Sequence, residues 1–441
     1  MKTITTLLVL VSFIITLHAE QLSPSELVEI NALKKAVDDA ETTWRSTIGS
    51  TTASPERSKL YKAYQELKQT NVPQLFSLAQ KEPESQSAFD VFLKIAMDKE
   101  ALGRSIRPYQ LQSLEYLTKY HSTNSTLGPL CSYLGRSWEF WWRRNPFEVI
   151  LKAVVEEGPN PAVRARAIDE LRRLEADKSV SVVDFLKSVV KNNAVRAIRA
   201  QAIYALGRLD ANKSEELALF EKIPAYAKNM TTNTLAEWKT FGSSQQAAAD
   251  AESEFNEIIA NYSDCLDLRE LSSPKEEAPR LKDLAEQNLF ALKHLSLGKE
   301  APEIEAEGVD GKKFKLSDSR GKVCVLIFWA TWCGPCMEMV PAERALAQRM
   351  QGKPFSLIGV NGDPSLQNAK RAMEREQMTW PSFWNGKEGA EGPIAKAWNV
   401  NGWPTIYILD AKGIIRFKGA AAQDLNGCVD ELMKEMLPKN P

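Results

Sequence analysis

Apolar residues recur at three- and four-residue intervals from about Ser23 to Leu297, with few alternating stretches, and that period predicts helices. Near Gly298 the pattern changes. Phe314–Leu316, Val323–Trp329, Phe355–Val360 and Thr405–Leu409 are short apolar runs of strand type separated by helical patterns, which predicts a sheet with helices on its faces. The polar stretch Leu271–Pro279 is followed by an amphipathic segment, Arg280–Leu295, so the boundary is placed at Gly298. The expected organisation is an all-helical region over 20–297 and an α/β domain over 298–438.

Within the helical region, one amphipathic helix opens behind Pro24, and a second runs from Arg57 through Lys68 into Ala79, with an interruption expected at Pro73. Together they predict a helical hairpin. Val163–Leu174 (VRARAIDELRRL) matches Ile198–Leu209 (IRAQAIYALGRL) at seven of twelve positions, offset by 35 residues, with apolar residues at relative positions 0, 4, 8 and 11. Such a stripe suits either a stacked helical repeat around 150–210, resembling HEAT-like arrays, or a plain bundle with two similar helices. Ser137–Pro146 concentrates tryptophans and arginines; core packing and a peptide-binding or cation-π surface are the two readings, packing the favoured one.

Composition narrows the function. With 56 Lys+Arg against 57 Asp+Glu the net charge is -1, so no broad basic field exists to attract a nucleic acid, and none is expected as partner. Lys2 precedes an apolar run from Leu7 to Leu17 that ends at Ala19, the pattern of a secretory signal over residues 1–19. The run is too short to cross a bilayer comfortably, so the expectation is an exported, periplasmic or extracytoplasmic chain with no transmembrane span once cleaved after Ala19.

Six cysteines are present, at 131, 265, 324, 333, 336 and 428. Cys324 and Cys428 are expected to be buried thiols, while Cys131 and Cys265 are either a pair or two further buried thiols. Cys333 and Cys336 stand apart. The strand Val323–Trp329 leads through Ala330-Thr-Trp-Cys-Gly-Pro-Cys336 into an amphipathic helix running to about Met350, so the pair sits where a strand becomes a helix. Unpaired N–H groups at a helix start stabilise a thiolate, the nucleophile of disulfide exchange. Cys333, nearer the start, is the expected attacking residue, and Cys336, one turn on, can close a disulfide and resolve the mixed intermediate. Gly334 and Pro335 suit the tight first turn. A Cys-x-x-Cys can also be half of a zinc site, but two further ligands at suitable spacing are not evident, and with His18 in the leader only His121 and His294 remain. No metal or cofactor is expected beyond the redox-active pair.

Trp332-Cys-Gly-Pro-Cys336, Pro341, and Gly402-Trp-Pro-Thr405 before a strand resemble thioredoxin, and more closely the extracytoplasmic TlpA/ResA-type thiol-disulfide oxidoreductases of the redoxin group. Pro302–Leu316 resembles that group's leading hairpin, Gly321-Lys322 the approach to its first central strand, Asp363–Trp384 its inserted helix and Ile408–Gly413 its final hairpin. The resemblance covers about residues 298 to 438 and implies a thioredoxin fold, protein thiols and disulfides as partners, and a membrane thiol reductant as electron source. It also implies that Pro404 is cis and faces the cysteines, that Trp403 shapes the partner-binding surface, and that Trp329 and Trp332 flank the site. Two positions depart from the pattern. Ile327 stands where thioredoxin has a buried aspartate, and Met339 stands where the ResA-like group often has an acid, with Glu338 one step earlier. The leading function is thiol-disulfide exchange, with reduction the favoured direction. A redoxin-type thiol peroxidase is weaker, because Thr331 lies two residues before Cys333 and the Pro-x-x-x-Thr-x-x-Cys spacing is absent. A helical protein-binding scaffold with an accessory redox domain is the alternative from another class.

Overall fold

The computed structural model describes residues 22–48, 55–98, 106–124, 126–136, 145–158, 160–175, 180–222, 242–270, 278–420 and 425–436. The expected leader, residues 1–19, and most of the aromatic run, 137–144, lie outside them. The chain forms two compact units, Met1–Ala202 with Asp267–Ala278, and Ile203–Leu266 with Pro279–Pro441. Among the described residues no helix is long and apolar enough to cross a membrane.

The first unit is built of helices. Pro24–Ile48 packs on Pro55–Lys81, with Val37, Trp44 and Tyr64 buried between them. The second of these helices continues through Pro73, where the sequence suggested a break. A proline removes one intrahelical hydrogen bond, but here Val72, Leu75, Phe76 and Ala79 are buried along the same segment, and that packing outweighs the loss. Ser85 caps Gln86–Ala96 by accepting from Ala88 N at 3.1 Å, and this helix packs on Arg107–His121 through Phe92 and Tyr116, with Phe76 of Pro55–Lys81 against Phe92, Tyr109 and Tyr116.

The two matching sequence stretches lie in helices Pro161–Glu175 and Arg196–Lys222, with Val163, Ala167 and Leu171 buried in one and Ile198, Ala202, Leu206 and Leu209 in the other. The arginine at the second position of each stretch does the same work. Arg164 Nε donates to Val155 O at 2.7 Å, and Arg199 Nη1 donates to Asn193 O at 2.7 Å, so each satisfies a carbonyl at the end of the preceding helix.

The second unit carries a five-stranded sheet in the order β5-β4-β3-β6-β7, comprising β3 (Val323–Trp329), β4 (Phe355–Asn361), β5 (Ser382–Trp384), β6 (Thr405–Leu409) and β7 (Ile415–Gly419). β3, β4 and β5 are parallel, β6 runs antiparallel to β3, and β7 runs antiparallel to β6. Ahead of the sheet lies a hairpin of β1 (Glu305–Glu307) and β2 (Lys313–Lys315), registered Glu305 opposite Lys315. This is the thioredoxin arrangement that the sequence resemblance implied.

The unbroken apolar run of β3 explains its central place. Val323, Val325, Ile327 and Trp329 enter one core, and Cys324, Leu326 and Phe328 enter the core on the opposite face, as strand alternation requires. β6 divides the same way, Ile406 and Ile408 to the first core and Tyr407 and Leu409 to the second. Burial of each such side chain stabilises by about 1.5–3 kcal/mol. The first core also takes Cys333 and Cys336, so the sheet and the dithiol share one apolar cluster.

Candidate active site

β3 ends at Trp329, and the helix Gly334–Arg349 begins after only Ala330–Cys333. Cys333 is its N-cap. Its backbone is extended, with φ −89° and ψ 97°, and its Sγ accepts a hydrogen bond from Cys336 N at 3.2 Å. The sulfur therefore lies at the positive end of a 16-residue helix, against donors that have no intrahelical partner. Cys336 follows one turn later, with the Cα atoms 5.3 Å apart and the two sulfurs joined at 1.99 Å.

Both cysteines are buried, at 5% and 2% exposure, whereas Gly334 and Pro335 are exposed and Trp332 is 52% exposed. A Cβ added to Gly334 would meet nothing within 4 Å, so the room that glycine leaves faces outward. Trp332 and Trp403 meet edge to face, their ring centroids 5.6 Å apart. Trp403 packs against the cluster holding the cysteines, and the Trp403–Pro404 peptide is cis, with Pro404 buried at the start of β6. The structure thus gathers Trp332, Cys333, Cys336 and Trp403, while Trp329 is buried in the core below, where its Nε1 donates to Ser382 Oγ at 3.0 Å.

Three residues that sequence reasoning passed over surround this loop. They are Asn361, Gly362 and Asp363, at the end of β4. The Asp363 carboxylate accepts from Thr331 N at 3.0 Å, from the Thr331 hydroxyl and from Asn361 Nδ2 at 2.7 Å. Trp332 Nε1 donates to Gly362 O at 3.2 Å, and a Cβ on Gly362 would fall 2.5 Å from the Trp403 ring. A fourth residue, Glu343, points inward from the helix that Cys333 caps. It is 2% exposed, and burial pushes its carboxyl up to about 7. Its place is two turns beyond Cys336 on the same helical face. Glu338 is exposed, Met339 is buried, and Ile327 lies in the core that the cysteines enter.

The remaining cysteines, 131, 265, 324 and 428, are buried thiols outside that disulfide, and burial pushes the Cys131 and Cys324 thiols up to about 12. Burial thus disfavours the thiolate at Cys131 and Cys324.

Comparison with known proteins falls on this part of the chain. Residues 297–418, which include Cys333, Cys336, Trp403 and Pro404, match the family model described as the AhpC/TSA family. The thioredoxin-like protein YneN of Bacillus subtilis is 34% identical over 122 residues, which is 27% of this chain and 68% of YneN. The thiol-disulfide oxidoreductase ResA of Bacillus thuringiensis subsp. konkukian is 28% identical over 146 residues, 33% of this chain and 80% of ResA. Among solved structures, the thioredoxin domain of a thiol-disulfide oxidoreductase from Bacteroides vulgatus aligns at 24% identity with a TM-score of 0.30, covering 31% of this chain and 98% of that domain.

Proposed function

The chain belongs, through residues 297–418, to the AhpC/TSA family of thioredoxin-fold proteins, and from that premise we propose that it is an exported thiol-disulfide oxidoreductase that reduces protein disulfides with Cys333 and Cys336. The observation that carries the reading is the N-cap placement of Cys333, its sulfur held at a helix start and within bonding reach of Cys336.

The chemistry balances as a two-electron transfer. In the reduced protein the Cys333 thiolate attacks one sulfur of a partner disulfide. An S–S bond to the partner forms, the partner's own S–S bond breaks, and the leaving sulfur takes up a proton. Cys336 then gives up its proton and attacks Cys333 Sγ, so the mixed disulfide breaks and the partner's second thiol is released. The partner ends as a dithiol and the protein as the Cys333–Cys336 disulfide. Trp332, Gly334, Pro335, Trp403 and Pro404 shape the surface on which the partner disulfide lies. A further turnover requires a dithiol donor to reduce the pair, and a membrane thiol reductant fits an exported protein. Export rests on Lys2, the apolar run Leu7–Leu17 and Ala19.

Trapping tests the proposal. Cys336→Ala leaves the attacking sulfur without its resolving partner, so partner proteins are expected to accumulate on Cys333 as mixed disulfides that dithiothreitol releases. The Cys333→Ala protein should hold far fewer. Equal trapping by the two variants, or none by either, would overturn the assignment.

A further inference from the structure

Asp363 belongs neither to the dithiol nor to the helix that carries it. It is buried at the end of β4, yet two of the donors it receives come from one residue, Thr331, two positions before Cys333. The grip takes both the main-chain N–H and the side-chain hydroxyl, so it fixes the backbone of Thr331 and its rotamer together. The carboxylate is itself held. Asn361 Nδ2 donates to it at 2.7 Å, and Asp363 N donates back to Asn361 Oδ1 at 3.0 Å, with Asn361 fully buried. The neighbouring carbonyl of Gly362 receives Trp332 Nε1, and Gly362 N donates to Trp329 O at 2.9 Å. From Trp329 to Trp332 the connection is therefore tied to one three-residue turn at three points. Beyond them, the turn bond from Cys333 N to Ala330 O, at 3.2 Å, completes the approach to the cysteine.

Hydrogen bonds to a carboxylate are roughly twice as strong as neutral ones, and a group held at both backbone and side chain has little freedom to drift. Small displacements of a reacting group cost large factors in rate. Resting on the exchange reading above, we propose that Asp363 is a positioning residue for that reaction: by pinning Thr331 it holds Trp332 and Cys333 as one fixed edge against which a protein disulfide docks. The role is one of placement, and Asp363 touches no reacting atom. Its effect should fall on substrates large enough to lie against the exposed Trp332, and should largely spare a small disulfide that needs only the sulfur.

The test compares Asp363→Asn, Thr331→Val and Thr331→Ser in the full-length, reduced protein, with insulin and a small aromatic disulfide as probes. Rates are measured well below each variant's urea unfolding midpoint. Asp363→Asn and Thr331→Val are each expected to slow insulin reduction about tenfold while changing the small-disulfide rate less than twofold. Thr331→Ser, which restores the hydroxyl, should return the insulin rate to near wild type. The combined Asp363→Asn/Thr331→Val protein should be no slower than Asp363→Asn alone, since the carboxylate change already removes the partner of the hydroxyl that valine lacks. Should Asp363→Asn fail to fold, the two Thr331 variants carry the comparison with the carboxylate left in place. Unchanged insulin rates, equal slowing on both probes, or a serine variant as slow as the valine one would overturn the positioning role and leave the exchange reading standing. A wild-type protein that reduces neither probe would overturn both.

Discussion

Glu343 offers a quantitative check on how the helix that carries the dithiol is packed. Its side chain lies on the inward stripe of Gly334–Arg349, between Val340 and Leu346, and burial raises its carboxyl from 4.5 to about 7. The sign follows from linkage. Below pH 4.5 the carboxyl is protonated in both folded and unfolded chains and contributes no pH dependence. Between 4.5 and 7 the unfolded chain releases its proton first, so the folded state loses stability as pH rises. Above about 7 both states are ionised, and the raised carboxyl leaves a constant penalty of about 3 kcal/mol. Glu343→Gln removes the titration and leaves an amide of the same shape, whose burial costs about 1–3 kcal/mol at every pH. A protonated carboxyl has a similar burial cost, so the variant should match wild type near pH 4.5 and be more stable than it at pH 8, where wild type carries the charge. Urea unfolding of the oxidised protein at intervals from pH 4.5 to 8, followed by tryptophan fluorescence, gives the two slopes. Parallel pH profiles for the two proteins would refute the claim that burial raises this carboxyl.

Two further outcomes follow from the site. Gly362→Ala would place a methyl group 2.5 Å from the Trp403 ring, so it is expected to destabilise the α/β unit by about 1–3 kcal/mol and to shift the tryptophan emission as the Trp332–Trp403 contact opens, measured by urea unfolding and fluorescence. Hydrogen peroxide consumption with dithiothreitol as reductant should proceed no faster with the protein than with an equal concentration of its Cys333→Ala variant, and rapid turnover dependent on Cys333 would instead favour a thiol peroxidase.

What the sequence made legible follows the reach of its periodic signals. Val323–Trp329 and Thr405–Leu409 were readable to the residue, because an apolar run flanked by turn residues has one sensible conformation in an α/β chain. β5 was not singled out, since three residues behind Pro381 carry no period and become a strand only by pairing with β4. The start of β1, Glu305-Ala-Glu307, is polar and exposed on one face, and only the resemblance pointed to its hairpin. At Pro73 a local rule lost to packing that a reading of the helix alone cannot weigh.

The site divides along the same line. Cys333 and Cys336 were found because their spacing and their position between strand and helix are both local. Glu343 was within reach, for it continues the stripe of Cys336, Val340 and Leu346, where an acid stands out against its neighbours' burial. Asp363 carried no such mark. In sequence it is a polar residue in a turn, ahead of Pro364, and nothing short of the pairing of β3 with β4 brings its carboxylate to Thr331. Phe328, Trp329 and Asn361 show how that happens. Because Phe328 pairs with Val360 and Trp329 with Asn361, the two strands end side by side, and the turn after one must meet the loop after the other. The register that buries the apolar run of β3 is thus the same constraint that delivers an acceptor to the residue two before the reactive cysteine. A shift of that register by one residue would exchange the side chains of β3 between the two cores and withdraw the acceptor together.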